Sequence, residues 1–225
     1  MGIKLFGAAG KLLQVDTKHL ALRASLRPLD VDSLGGYRLS MLSGQIAASL
    51  AAGSELFQFR WTDASGKRCV LHDLQVGVVV DGNITTAVPI VLEAVAARAF
   101  SAAGTGGSTA TITGNNGKME TAFGTTLLGE ARMATTAALG AGTKTLDTQG
   151  FGLAIGGSGT TAGASTPIGM TGLYRPIAGV EHPLVLAQNE GFVIRSVLAG
   201  PGTGTWRLAV LAAWGEVAAY NDTGL

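Results

Sequence analysis

The chain has 225 residues, enough for a single sandwich domain with a sizeable core. Charged residues make up 14% of it, against roughly 25% in an ordinary soluble domain, and 47% is apolar. With a net charge of +1, this composition excludes a binder driven by charge to nucleic acid, and it favours a surface partly buried between copies of the chain. Cys69 is the single cysteine, so neither an intrachain disulfide nor a zinc site with two thiolates can form. No apolar run reaches the length of about 18 residues that would mark a membrane span. The segment Met1–Phe6 also lacks the apolar core of a signal peptide. The expectation is a protein made in the cytoplasm that meets no membrane.

The first 40 residues carry six Lys/Arg and three Asp, leaving 10 basic and 12 acidic residues for the rest. Within them Leu20, Leu22, Ala24 and Leu26 alternate with Ala21, Arg23, Ser25 and Arg27 until Pro28 stops the run. We read residues 1–38 as an extended N-terminal arm and residues 39–225 as the main domain. The candidate attachment residues are Lys11, Lys18, Leu20, Leu22, Arg23, Leu26 and Arg27. An arm of this kind adds main-chain hydrogen bonds to an exposed sheet edge of a neighbour. The same alternation is equally consistent with Leu20, Leu22 and Leu26 completing the domain's own core.

Beyond the arm, Phe57, Phe59 and Trp61 share one face of a predicted strand, with Gln58 and Arg60 on the other and a turn over Asp63–Lys67. Val70, His72, Leu74, Val76, Val78 and Val80 define a second face, and Asp81-Gly82 predicts a tight hairpin turn. Its return limb, Ile84–Phe100, is read as strand although Leu92–Arg98 has high helix propensity. Phe192, Ile194 and Leu198 share the parity of one predicted strand, and Trp206, Leu208, Val210, Ala212 and Trp214 that of another. The turn residues Gly200–Gly204 between them predict a second hairpin. Ser101–Gly117 and the uncharged stretch Thr148–Tyr174 are of low complexity. Together these runs predict an all-β fold, a jelly-roll-like antiparallel β-sandwich. Unpaired sheet edges and low charge predict a homo-oligomer, a trimer.

Tests for chemistry are negative. His19, His72 and His182 are dispersed and none belongs to an HExxH arrangement. Gly114–Met119 lacks Walker spacing and Gly150–Gly156 lacks that of a dinucleotide fingerprint. In the half calcium loop at Asp30–Gly35, Leu34 falls where an oxygen ligand is needed. The expectation is therefore no catalytic, cofactor or metal site. An enzyme would need distant groups such as Glu93, Glu130 and His182 to converge in space.

Several segments carry a likeness: Val15-Asp16, Leu26–Pro28, Phe57–Asp63, Thr113–Asn116, Glu181–Ala187, Asn189–Arg195 and Thr203–Trp206, continuing to Trp214. In these the chain resembles, over nearly its whole length, a group of virion structural proteins encoded by tailed bacteriophages. The resemblance implies a capsid decoration or cement protein, with a neck or tail component as the alternative. It also implies residence in the virion, with major capsid or other virion proteins as partners besides further copies of the chain. A receptor- or glycan-binding β-module at a fibre tip is a competing class. Most aromatic residues here sit in strand patterns rather than in loops, which weighs against it.

Overall fold

A computed structural model of the chain describes residues 34–157, 168–177 and 181–218. These residues form eleven strands and no helix: β1 (Gly35–Leu42), β2 (Glu55–Trp61), β3 (Arg68–Val80), β4 (Pro89–Ala102), β5 (Ser108–Thr109), β6 (Leu128–Met133), β7 (Thr143–Gly157), β8 (Ile168–Tyr174), β9 (Val185–Leu186), β10 (Glu190–Ser196) and β11 (Trp206–Val217). One antiparallel sheet runs β1-β11-β3-β8, with β9 also paired to β3, and the other runs β5-β6-β2-β10-β4-β7. Their apolar faces pack together, giving the all-β sandwich expected from the alternating runs. The predicted strand at His19–Arg27 lies outside the described residues. β1 starts at Gly35, so residues 35–38 belong to the sandwich.

The alternation in β11 translates directly into burial. Trp206, Leu208, Val210, Ala212 and Trp214 are buried, while Arg207, Ala209, Leu211 and Ala213 are half-buried on the outer face. On β2 and β10, Phe59 and Phe192 are register partners whose rings stack with centroids 4.9 Å apart. On the opposing sheet Tyr37 and Trp214 are register partners stacked at 5.8 Å. Phe59 meets Trp214 edge-on at 5.2 Å, which joins the two stacks across the sandwich. A second bridge closes one side, where Phe151 of β7 contacts both Phe192 and Tyr174 of β8.

Two predicted hairpins are not hairpins. β3 and β4 lie in different sheets, as do β10 and β11, so both connections cross the sandwich. Neither Asp81 nor Gly82 has positive φ. Instead both N–H groups donate to Thr205 O, and the Asp81 carboxylate accepts from Arg207 Nε at 2.6 Å. Strands β1 to β4 thus alternate between the two sheets, as do β7, β8, β10 and β11, while β4 to β7 stay within one sheet, the connectivity of a jelly-roll-like sandwich. The expected face of β3 is also corrected at its start. Ala213 pairs with Asp73 and Trp214 with Leu71, so His72 is the extra residue of a β-bulge. Cys69 and Leu71 therefore join Leu74, Val76, Val78 and Val80 in the core, whereas Val70 and His72 do not.

The helix-prone stretch Leu92–Arg98 is strand because both its faces are covered. Leu92 and Ala94 face the main core, while Val95 and Ala97 on the other face are equally buried. Across that outer face runs the register row Val95, Val193, Gln58 and Arg132. A buried polar lock roofs it. Gln58 Nε2 donates to Glu55 Oε2 at 2.6 Å and to Gly140 O at 2.9 Å, and its Oε1 accepts from Gly104 N. Lys144 pairs with Glu55 at 2.8 Å, donates to Ala141 O and sits over the Phe100 ring. A Cβ at Gly104 would lie 1.7 Å from Gly140 O, so the close approach of the two loops requires glycine.

Truncating the ring that joins the stacks tests this account. Trp214→Ala should cost about 3–5 kcal/mol in urea unfolding, whereas Leu42→Ala, at a position 56% exposed, should stay within about 0.5 kcal/mol of the parent.

Candidate functional site

The attachment residues expected from the sequence, Lys11, Lys18, Leu20, Leu22, Arg23, Leu26 and Arg27, lie outside the described residues. The groups that an enzyme would have needed to converge are apart and otherwise engaged. Glu93 accepts from Arg195 Nε at 2.6 Å, and Glu130 pairs with Arg132 and Arg60. His182 stands in an exposed loop with Nδ1 2.7 Å from Pro183 O. Among the described residues no three His, Cys, Asp or Glu side chains gather as a metal site would require.

A concavity lies beside the outer edge of β1. It encloses about 410 Å³ and is lined by Arg38, Ser40, Thr111, Ile112, Asn116 and Leu211, among others. Its floor follows from strand parity. Arg38 N–H donates to Gly117 O at 2.7 Å and Met119 N–H to Gly36 O at 2.9 Å, so the loop 117–119 covers the edge as far as Arg38. Ser40 and Leu42 share that parity and direct their main-chain groups to the same edge, where no such cover is present among the described residues. The loop follows a turn closed by hydrogen bonds from Asn116 N–H to Thr113 O and from Lys118 N–H to Asn115 O. The lining offers a guanidinium, hydroxyls, an amide and free main-chain groups, but no carboxylate, imidazole or thiol. Such a groove can bind an acceptor-rich or extended ligand, and its lining holds no general acid–base pair.

The titratable cluster deepest in the fold lies behind this edge. Glu216 is buried, and loss of solvent raises its pKa above the ordinary 4.5, opposed by hydrogen bonds from Thr126 Oγ1, Leu127 N–H and Trp214 Nε1. Burial, then the charge of Glu216, pushes the Tyr37 hydroxyl up to about 12, and the same two causes raise the Cys69 thiol. Tyr37 donates to Gly124 O at 3.0 Å. A buried thiol held in its neutral form is not a primed nucleophile, and the cluster acts as a fastener between β11 and the loop 124–127.

Nothing local in the sequence marks the groove or the cluster, because both arise from contacts between segments some 80 or 90 residues apart, such as Glu216 with Leu127, separated by 89. No family model matches the chain, and neither does any curated protein or solved structure.

Because the folded pKa of Glu216 is raised, its protonated form is the one the fold prefers. Its contribution is fully present below the unfolded value near 4.5 and is lost as pH rises through the folded value. Thermal melts across pH 4–8 should therefore show the parent losing stability relative to Glu216→Gln as pH rises. A pH-independent difference between the two would contradict this assignment.

Proposed function

We propose that the chain is a structural component of a tailed-bacteriophage particle, a capsid decoration or cement protein that acts by self-association and protein–protein contacts. The observation that carries this reading is where charge and apolar surface fall. The ion pairs Glu93–Arg195, Glu55–Lys144, Arg98–Asp147 and Arg207–Asp81 hold strands and loops of the fold together. Meanwhile Leu42, Leu153, Ile155 and Met170 are exposed on strands at the sheet edges. Surfaces of this kind suit contact with other protein chains. The resemblance of the sequence to virion proteins supplies the setting, and residence in the virion follows from it as part of the proposal.

A second reading rests on the groove beside β1. Its guanidinium, hydroxyls and amide fit a receptor or glycan at a neck, tail or fibre position. The lining includes no aromatic ring of the kind that stacks on a sugar face, which leaves the structural reading ahead.

Cryo-EM of the parent particle, together with an arm deletion, tests the proposal. Removing residues 1–33 spares β1, so the sandwich should stay folded while binding to particles lacking the protein is lost. Unfolding of the shortened chain, or binding as tight as that of the intact one, would refute the anchoring role of the arm.

A further inference from the structure

Among the described residues β7 is the terminal strand of the six-stranded sheet, hydrogen-bonded to β4 on one side only. At 15 residues it is the longest strand of the fold. Its two charged residues lie near its start and are both engaged, Lys144 with Glu55 and Asp147 with Arg98. From Thr148 to Gly157 it carries no charge and no proline. Edge strands that must remain single are usually protected by lysine, proline, shortness or a covering loop. Two of the other edges have such protection in part, since β5 has two residues and the loop 117–119 covers the start of β1, while β8 is uncharged like β7 from Thr148 on but about half as long as β7.

The side chains at this edge are equally suited to a partner. Leu153 is 58% exposed and Ile155 68% exposed, both on the outer face, since Ala154 between them is buried. Val91 is the register partner of Ile155, and its carbonyl accepts from the N–H of the exposed Val197, so the apolar surface continues across the sheet. The sequence Gly152-Leu153-Ala154-Ile155-Gly156 has the same character read in either direction.

We infer that the free edge of β7 pairs antiparallel with β7 of a second copy, about a two-fold axis at Ala154. This rests on the reading of the chain as self-associating and names its contact. The axis sets Leu153 of each copy opposite Ile155 of the other, and Gly152 opposite Gly156. Opposed residues in an antiparallel pair have Cβ atoms about 4.5–5.5 Å apart, so the four exposed aliphatic side chains form one cluster. No like charges meet along the paired stretch. A two-fold contact closes on a dimer, so the inference departs from the trimer expected from the sequence.

The test uses the full chain and charge complementation at the two exposed positions. The parent should sediment as a dimer, while Leu153→Glu alone and Ile155→Lys alone should each weaken association by about tenfold or more. Both should keep the parent's circular dichroism. An equimolar mixture of the two variants should restore association as a heterodimer, because only there does the glutamate at position 153 face the lysine at position 155. If the parent associates but neither substitution weakens it, or the mixture fails to recover, the β7 pairing is wrong while self-association stands. A parent that remains a 22.7 kDa monomer at high concentration overturns both.

Discussion

The contact on which the rest of the structure depends is that between Phe59 and Trp214, 5.2 Å apart and nearly perpendicular. Each ring is already held within its own sheet, Phe59 by stacking on Phe192 and Trp214 by stacking on Tyr37. Edge-to-face geometry between the two stacks is the favoured arrangement of aromatic quadrupoles and adds to the area buried. The strands that carry these rings, β1, β2, β10 and β11, are linked by connections that cross from one sheet to the other. The same alignment places Glu216 two residues beyond Trp214, which fixes where the loop 124–127 can fasten.

Strand existence was legible from the sequence wherever side chains faced the core on one side and the outside on the other. β11 is the clear case, because along Trp206–Trp214 burial follows parity. The turn at Asp63–Lys67 was legible too, since the Asp63 carboxylate accepts from Ser65 N and Lys67 N within the segment itself. The bulge at His72 was not, because whether an extra residue is accommodated depends on the register of β11, over a hundred residues away. Strand connections were misread for a related reason. Asp81-Gly82 and Gly200–Gly204 have turn chemistry, yet turn residues specify a change of direction and not which sheet the chain enters next. β7 lay hidden in a low-complexity stretch, since glycine and alanine give no periodic signal even where Gly152 is needed for contact with Leu173 O.

The outer face of the β2-β10-β4 sheet illustrates why the candidate sites were less legible than the fold. Alternation assigns Gln58 to the polar side of its strand, and it does point away from the aromatic core. It is nevertheless buried, because the loops through Gly104 and Gly140 close over it and use it as their anchor. Glu55 and Lys144 are drawn into the same lock. Their charges would be unfavourable there unpaired, and pairing with additional hydrogen bonds makes the arrangement tenable. A polar residue on the outer side of a strand thus reports only that it avoids one core.

The distribution of polar groups divides the molecule into two unlike sides. Along the β1 side the edge is partly closed by the loop 117–119, and the groove there presents Arg38 with hydroxyl and amide groups. Along the β7 and β8 side Phe151 and Tyr174 close the interior, and the edge outside them is neutral and aliphatic. A neutral edge favours an identical partner, because antiparallel pairing of like strands brings no like charges together. A groove with a guanidinium and open main-chain groups favours an unlike partner rich in acceptors. A sandwich built this way can carry two different contacts without either competing for the same surface. The low overall charge fits this architecture, because ion pairs tie the fold together and the β7 edge carries no charge beyond Lys144 and Asp147 near its start.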